Sequence, residues 1–192
     1  MKSRYGRLAF LLMFAFTTLL LAAQGQDEKK KPEAYSGVAI GTGGSVGGMT
    51  IPFNLTINGY TSDEDLNKLA ALVKEKGQDA LRRALEDLDK GQLSPTGRVG
   101  NRIAVIRKRQ VGKNTIITIV TARVMSFSEL YRNNRSVDYP FGYMQLTLNE
   151  EGKGTGKVMA AASIRFNKKK NTYEIESYGN QYIRVSNVFP WK

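Results

Sequence analysis

The chain has 192 residues with no cysteine and no histidine, 29 lysines and arginines against 17 acids, and a net charge of +12 at neutral pH. The two absences exclude a disulfide framework, zinc or copper centres of ordinary ligand type, and catalysis that turns on an imidazole or a thiolate. The positive balance suits anionic partners such as lipid headgroups or acidic polysaccharide, or serves solubility alone.

The first 25 residues carry the pattern of an export signal. Lys2, Arg4 and Arg7 precede an uncharged run from Leu8 to Ala23, and Ala23-Gln24-Gly25 supplies small residues for a cleavage site before Gln26. The run is shorter than the roughly 20 residues a bilayer core needs, so cleavage is expected over retention as an anchor. No cysteine follows it, which excludes lipid attachment there, and no later stretch is apolar enough to cross a membrane as a helix. Cleavage leaves 167 residues with a net charge of +9, in the periplasm or outside the cell. Gln26 to Ala34 (QDEKKKPEA) reads as a disordered tether. A single domain is expected over residues 35–192.

Val38 and Ile40 lead into a glycine cluster (Gly41 to Gly48), and Met49, Ile51, Phe53, Leu55 and Ile57 then repeat at period two. That is a strand, a turn and a longer strand. The glycines do not make a phosphate loop, because no lysine closes them and a strand rather than a helix follows. Ser62 with Asp65 opens a helix, Leu66, Leu69, Ala70 and Val73 form its apolar face, and Gly77 stops it. A second helix repeats the pattern with Leu81, Ala84, Leu85 and Leu88 and is expected to run to Gly91. Each helix has one apolar stripe, so the pair must lie against the strands.

From Asn101 the alternation returns. Ile103, Val105 and Arg107 are expected on one face, with Arg102, Ala104 and Ile106 on the other. Thr115 to Met125 (TIITIVTARVM) is apolar or β-branched on both faces except at Arg123, which predicts a central strand covered on two sides. Further strands follow from Pro140 to Leu148, then over Gly154 to Phe166 with Val158, Ala160, Ala162, Ile164 and Phe166 facing inward. Tyr173 to Glu176 and Tyr182 to Phe189 complete the set. Short Gly and Asn turns join antiparallel neighbours. The fold expected is mainly β, an antiparallel sandwich of about eight strands with a two-helix hairpin inserted at about 62–90; a barrel is the alternative.

Little chemistry remains open. No serine lies three residues before a lysine, no catalytic motif is present, and Asn149 to Lys153 lacks the alternating acids of a calcium loop. No cofactor or metal is expected. A carboxylate hydrolase would centre on Asp138, but a second acid at fixed separation cannot be placed from spacing alone. Nucleic acid is not an expected partner, since the helix pair carries eight acids and six bases between Asp63 and Lys90 and would repel phosphate. The basic charge lies on the β portion. Within it, Tyr131 to Tyr143 (YRNNRSVDYPFGY) brings arginines and aromatics together, so Arg132, Arg135, Tyr139 and Phe141 are the candidate ligand-binding residues. The alternative is that Tyr139 and Phe141 plug the end of the fold.

The runs RVGNRIAVIR (Arg98 to Arg107), MSFSELYRNNRSVDYPFGYMQL (Met125 to Leu146) and GKGTGK (Gly152 to Lys157) resemble a recurring type of small exported bacterial protein to which no activity is assigned. The resemblance implies a bacterial source and an exported single domain, and carries no chemical signature. The functional expectation is a non-enzymatic exported protein that binds an anionic or envelope-associated ligand through its basic β surface. The alternatives are an apolar-ligand carrier with the helix pair as lid, and the carboxylate hydrolase.

Overall fold

The period-two runs pair into one antiparallel sheet that curls almost into a barrel, seen in a computed structural model describing residues 32–42, 48–125, 137–180 and 183–191. Its strands are β1 (Glu33–Gly41), β2 (Thr50–Ile57), β3 (Gly91–Pro95), β4 (Asn101–Ile103), β5 (Val105–Val111), β6 (Asn114–Thr121), β7 (Phe141–Leu148), β8 (Gly154–Asn167), β9 (Thr172–Ser177) and β10 (Ile183–Pro190). Helices α1 (Asp63–Lys76) and α2 (Gln78–Glu86) stand between β2 and β3. The spatial order is β4-β3-β2-β1-β10-β8-β7-β6-β5, with β9 added alongside β8.

Among the described residues, ten strands in one curled sheet stand in place of the expected eight-stranded sandwich, closer to the barrel alternative. One of the added strands is β3, which follows directly after the helices where α2 was expected to continue to Gly91. Helix α2 stops at Glu86, and Gly91, at φ 153°, begins a strand against Ile57. The other comes from a bend at Ala104. There the chain leaves its pairing with β3 and joins β6, so β4 and β5 form one strand shared by both margins of the sheet. The Ala104 N–H donates to the Val120 carbonyl at 3.0 Å across this bend. Below it Thr61 covers the free edge of β5, its N–H donating to Ile106 O at 2.8 Å and its hydroxyl accepting from Ile106 N at 3.1 Å. Edge groups that would otherwise stand open are thereby satisfied.

The bend also changes which side chains look inward. Ile103 and Ile106 enter the barrel core, whereas Val105 turns out toward the helices, against the simple alternation expected. A bulge makes the same switch in β8. Tyr143 pairs with Met159 but Phe141 pairs with Ala162, so β8 carries one residue more than β7 between them. Val158 and Ala160 therefore point into the barrel, while Ile164 and Phe166 pack against the helices. A single period-two count cannot register such an inserted residue.

Phe53, Leu55, Ile117, Ile119, Met144 and Leu146 fill the barrel, each no more than 1 % exposed. β6 stops at Thr121, and past its end Met125 folds back into that core, with its N–H on Ala160 O at 2.9 Å. Gly142 makes room for it, since a Cβ there would strike both the Met125 side chain and Thr121 Oγ1. The helices lie on the outer face of β5 to β8. Ser62 caps α1 as expected, accepting from Asp65 N at 3.1 Å, and Gly77 ends it at φ 80°. The second apolar cluster joins Val73, Leu81 and Leu85 to Val105 and Phe141. β6 is thus covered on both faces, as its composition predicts. Strand β1 already includes Glu33 and Ala34 from the segment read as tether.

Candidate functional site

Between the helix pair and the outer sheet lies a cavity of about 410 Å³. Leu66, Leu69, Ala70 and Val73 of α1 roof it, and Leu81 and Leu85 of α2 close one side. Ile116, Thr118 and Val120 of β6 form its floor with Val105 and Tyr143. The far wall is the β8–β9 extension, which contributes Ile164, Tyr173 and Ile175. The space exists because α1 touches the sheet at few points. Only Val73 of this helix is buried, and Leu66 and Leu69 remain half-buried facing the gap.

Polar contacts at three places hold α1 over the gap. Asp63 meets Arg107 of β5 at 3.4 Å, the Tyr173 hydroxyl donates to Ala70 O at 3.0 Å, and Lys74 stands 5.1 Å from the centre of the Phe166 ring. All involve exposed groups, so each contributes at most about 1 kcal/mol. The roof is therefore fastened more weakly than the barrel beneath it.

A few polar atoms converge on the otherwise apolar floor. Gln145 Nε2 donates to the Tyr143 hydroxyl at 3.3 Å, and Tyr143 also interacts with Thr118. Burial pushes the Tyr143 hydroxyl above its ordinary pKa, with the Thr118 hydrogen bond opposing, so it is a neutral group at physiological pH. Arg107 and Arg109 line the cavity from β5. Arg107 lies opposite Thr118 and Arg109 opposite Ile116, while the intervening Lys108 turns to the other side of the strand.

Lys108 belongs to a separate cluster at the barrel seam. Glu33 accepts hydrogen bonds from Tyr60 at 2.8 Å, from Tyr35 at 3.1 Å and from Lys108 at 3.2 Å. Burial alone would raise the Glu33 carboxyl, but the Tyr60 and Lys108 hydrogen bonds outweigh it and hold the group below its usual range. Burial and the neighbouring carboxylate push the Tyr35 hydroxyl up to about 12 and raise Tyr60 as well. The cluster ties β1 to β5 and is structural in character.

The structure separates the residues singled out in the Tyr131–Tyr143 segment. Phe141 is fully buried beneath the helices, and Tyr139 is half-buried, edge-to-face with Tyr178 at 5.4 Å between ring centres. Arg132 and Arg135 lie outside the described residues. Asp138 is exposed, with Arg165 at 3.8 Å, and its carbonyl accepts from Gln78 Nε2 at 3.1 Å. Among the described residues no three acids gather in a way that could hold a metal ion. The lining residues of β5 went unrecognised as a site because arginines on a period-two strand resemble any solvated face. The useful signal was Arg107 and Arg109 at i and i+2 opposite the two-sided apolar strand β6.

The chain matches no protein-family model, no curated protein and no solved structure.

Proposed function

We propose that the protein is a non-enzymatic exported binding protein whose ligand carries an apolar part seated between the helix pair and the sheet. The observation behind this reading is the cavity of about 410 Å³ under α1, within the usual range for small-molecule sites and lined mainly by aliphatic and aromatic side chains with a few polar groups. A helical lid over an apolar site was the second of the readings drawn from composition and patterning. It now stands ahead of recognition through the basic surface alone. Titration with N-phenyl-1-naphthylamine, a neutral apolar fluorophore, tests it. Saturable fluorescence enhancement is expected, weakened at least about tenfold by Ala70→Phe, which fills the roof of the cavity. Binding that Ala70→Phe leaves unchanged overturns the reading.

Recognition of an anionic, envelope-associated ligand remains compatible with this site, because basic residues border it. The part assigned to Arg132 and Arg135 is read by retention on anionic vesicles before and after their replacement with alanine. Unchanged retention removes them from the site.

A further inference from the structure

The sheet beside the cavity is graded from apolar to cationic, and the grading points to one class of ligand. The pairing aligns Val105, Val120, Tyr143 and Met159 in one outward row, and Arg107, Thr118, Gln145 and Lys157 in the next. A third row holds Arg109, Ile116, Thr147 and Thr155. Rows on the same face are two residues apart, about 7 Å. The first row lies under the helices, and the next two run from half-buried Thr118 and Ile116 on the cavity floor out to exposed Arg107, Arg109, Lys157 and Thr155. Arg184 of β10 stands next to Lys157 and extends the cationic row.

No outward position in these rows is a carboxylate. Asp63 of α1 forms an ion pair with Arg107 that spans 3.4 Å between exposed side chains. Such a pair contributes little and yields to a better-placed anion. Arg109 has no ion pair among the described residues. The Tyr143 hydroxyl, kept neutral by burial, accepts from Gln145 and Thr118 and keeps its own proton to donate beside Arg107. A wholly apolar ligand would leave this cluster of donors unused.

Resting on the cavity reading, we propose that the ligand is a single-chain amphiphile with an anionic head group, a carboxylate or a phosphate monoester. Its chain lies under α1 between Leu69, Val73 and Ile164, and its head meets Arg107, Thr118 and Tyr143, with Arg109 beside them. The volume suits one chain: at about 30 Å³ for a methylene or a water in the liquid, the cavity has room for on the order of a dozen methylenes.

The test is displacement of bound N-phenyl-1-naphthylamine from the full chain by three fourteen-carbon compounds: myristate, tetradecyl phosphate and 1-tetradecanol. Wild-type protein is expected to bind at least one of the anions about tenfold or more tightly than the alcohol, with the margin shrinking as salt is raised. The double variant Arg107→Ala with Arg109→Ala should lose that margin and keep its affinity for the alcohol. Arg83→Glu on the exposed side of α2 controls for net charge and should keep the margin. Preference for the phosphate or the myristate assigns the head. Equal binding of all three compounds, or loss of the margin in Arg83→Glu as well, overturns the head-group assignment while leaving the cavity reading intact. Probe binding that Ala70→Phe does not weaken overturns the cavity reading and this proposal together.

Discussion

The two faces of β6 meet opposite fates within one strand. Ile117 and Ile119 point into the barrel and are fully buried, whereas Ile116, Thr118 and Val120 point out beneath the helices and remain half-buried around open space. The inner face is enclosed by the curled sheet, and its isoleucines are fully buried. The outer face is covered by helices that bury only Val73, Leu81 and Leu85 against it. Composition is similar on both sides, so packing rather than hydrophobicity separates the structural core from the candidate site.

The largest test of this contrast replaces adjacent isoleucines. Ile117→Ala should cost about 3–4 kcal/mol in urea unfolding, and Ile116→Ala about 1 kcal/mol, because only the first opens a cavity in packed surroundings. Equal costs would abolish the distinction between the faces. Gly142→Ala should cost about 2 kcal/mol by overpacking Met125 and Thr121 at the junction of the two clusters. A neutral result would mean that Met125 does not lie where it is placed.

Glu33→Gln should cost about 1 kcal/mol at neutral pH, a value discounted for the partial exposure of Glu33 and Lys108. The folded carboxyl titrates below its unfolded value, so its contribution is complete above the ordinary glutamate range and is lost as pH falls through the folded pKa. The stability gap between variant and wild type should therefore be constant from neutral pH down to about 5 and shrink below about 4. A gap that widens on acidification would contradict the seam assignment. Leu69→Ala comes last, expected within about 0.5 kcal/mol of wild type, since alanine favours the helix and the lost side chain faces open space. A cost above about 2 kcal/mol would show a filled interface under α1.

Much of the fold was legible because its elements obey simple periods. The helix pair announced itself through Ser62, the acidic first turn and Gly77, and β6 through apolar or β-branched residues on both faces. The errors fall where one residue breaks a period. The bend at Ala104 and the extra residue in β8 each turn a strand over, so Val105, Ile164 and Phe166 leave the face that counting assigns them. Curling into one sheet was legible only as the barrel alternative, since it depends on β4 and β5 sharing a strand. The site was legible only in pieces. Leu66 and Leu69 were readable as one helix face, but a stripe shows that a surface is covered, not how completely. Phe141, an aromatic in a suggestive loop, took the other reading open to it and packs as core.

The pairing of β1 with β10 sets an order of events in folding. Tyr35 lies beside Pro190 and Gly41 beside Ile183, so the first strand of the sheet has the last as its neighbour. Local hairpins such as β5–β6 and β8–β9 can form as soon as their own residues are available. Closure of the barrel waits until nearly the whole chain has emerged, and bringing such distant segments together slows folding. During that interval Ala39, Ile183 and Val185, all buried at the finished junction, stand open to other chains.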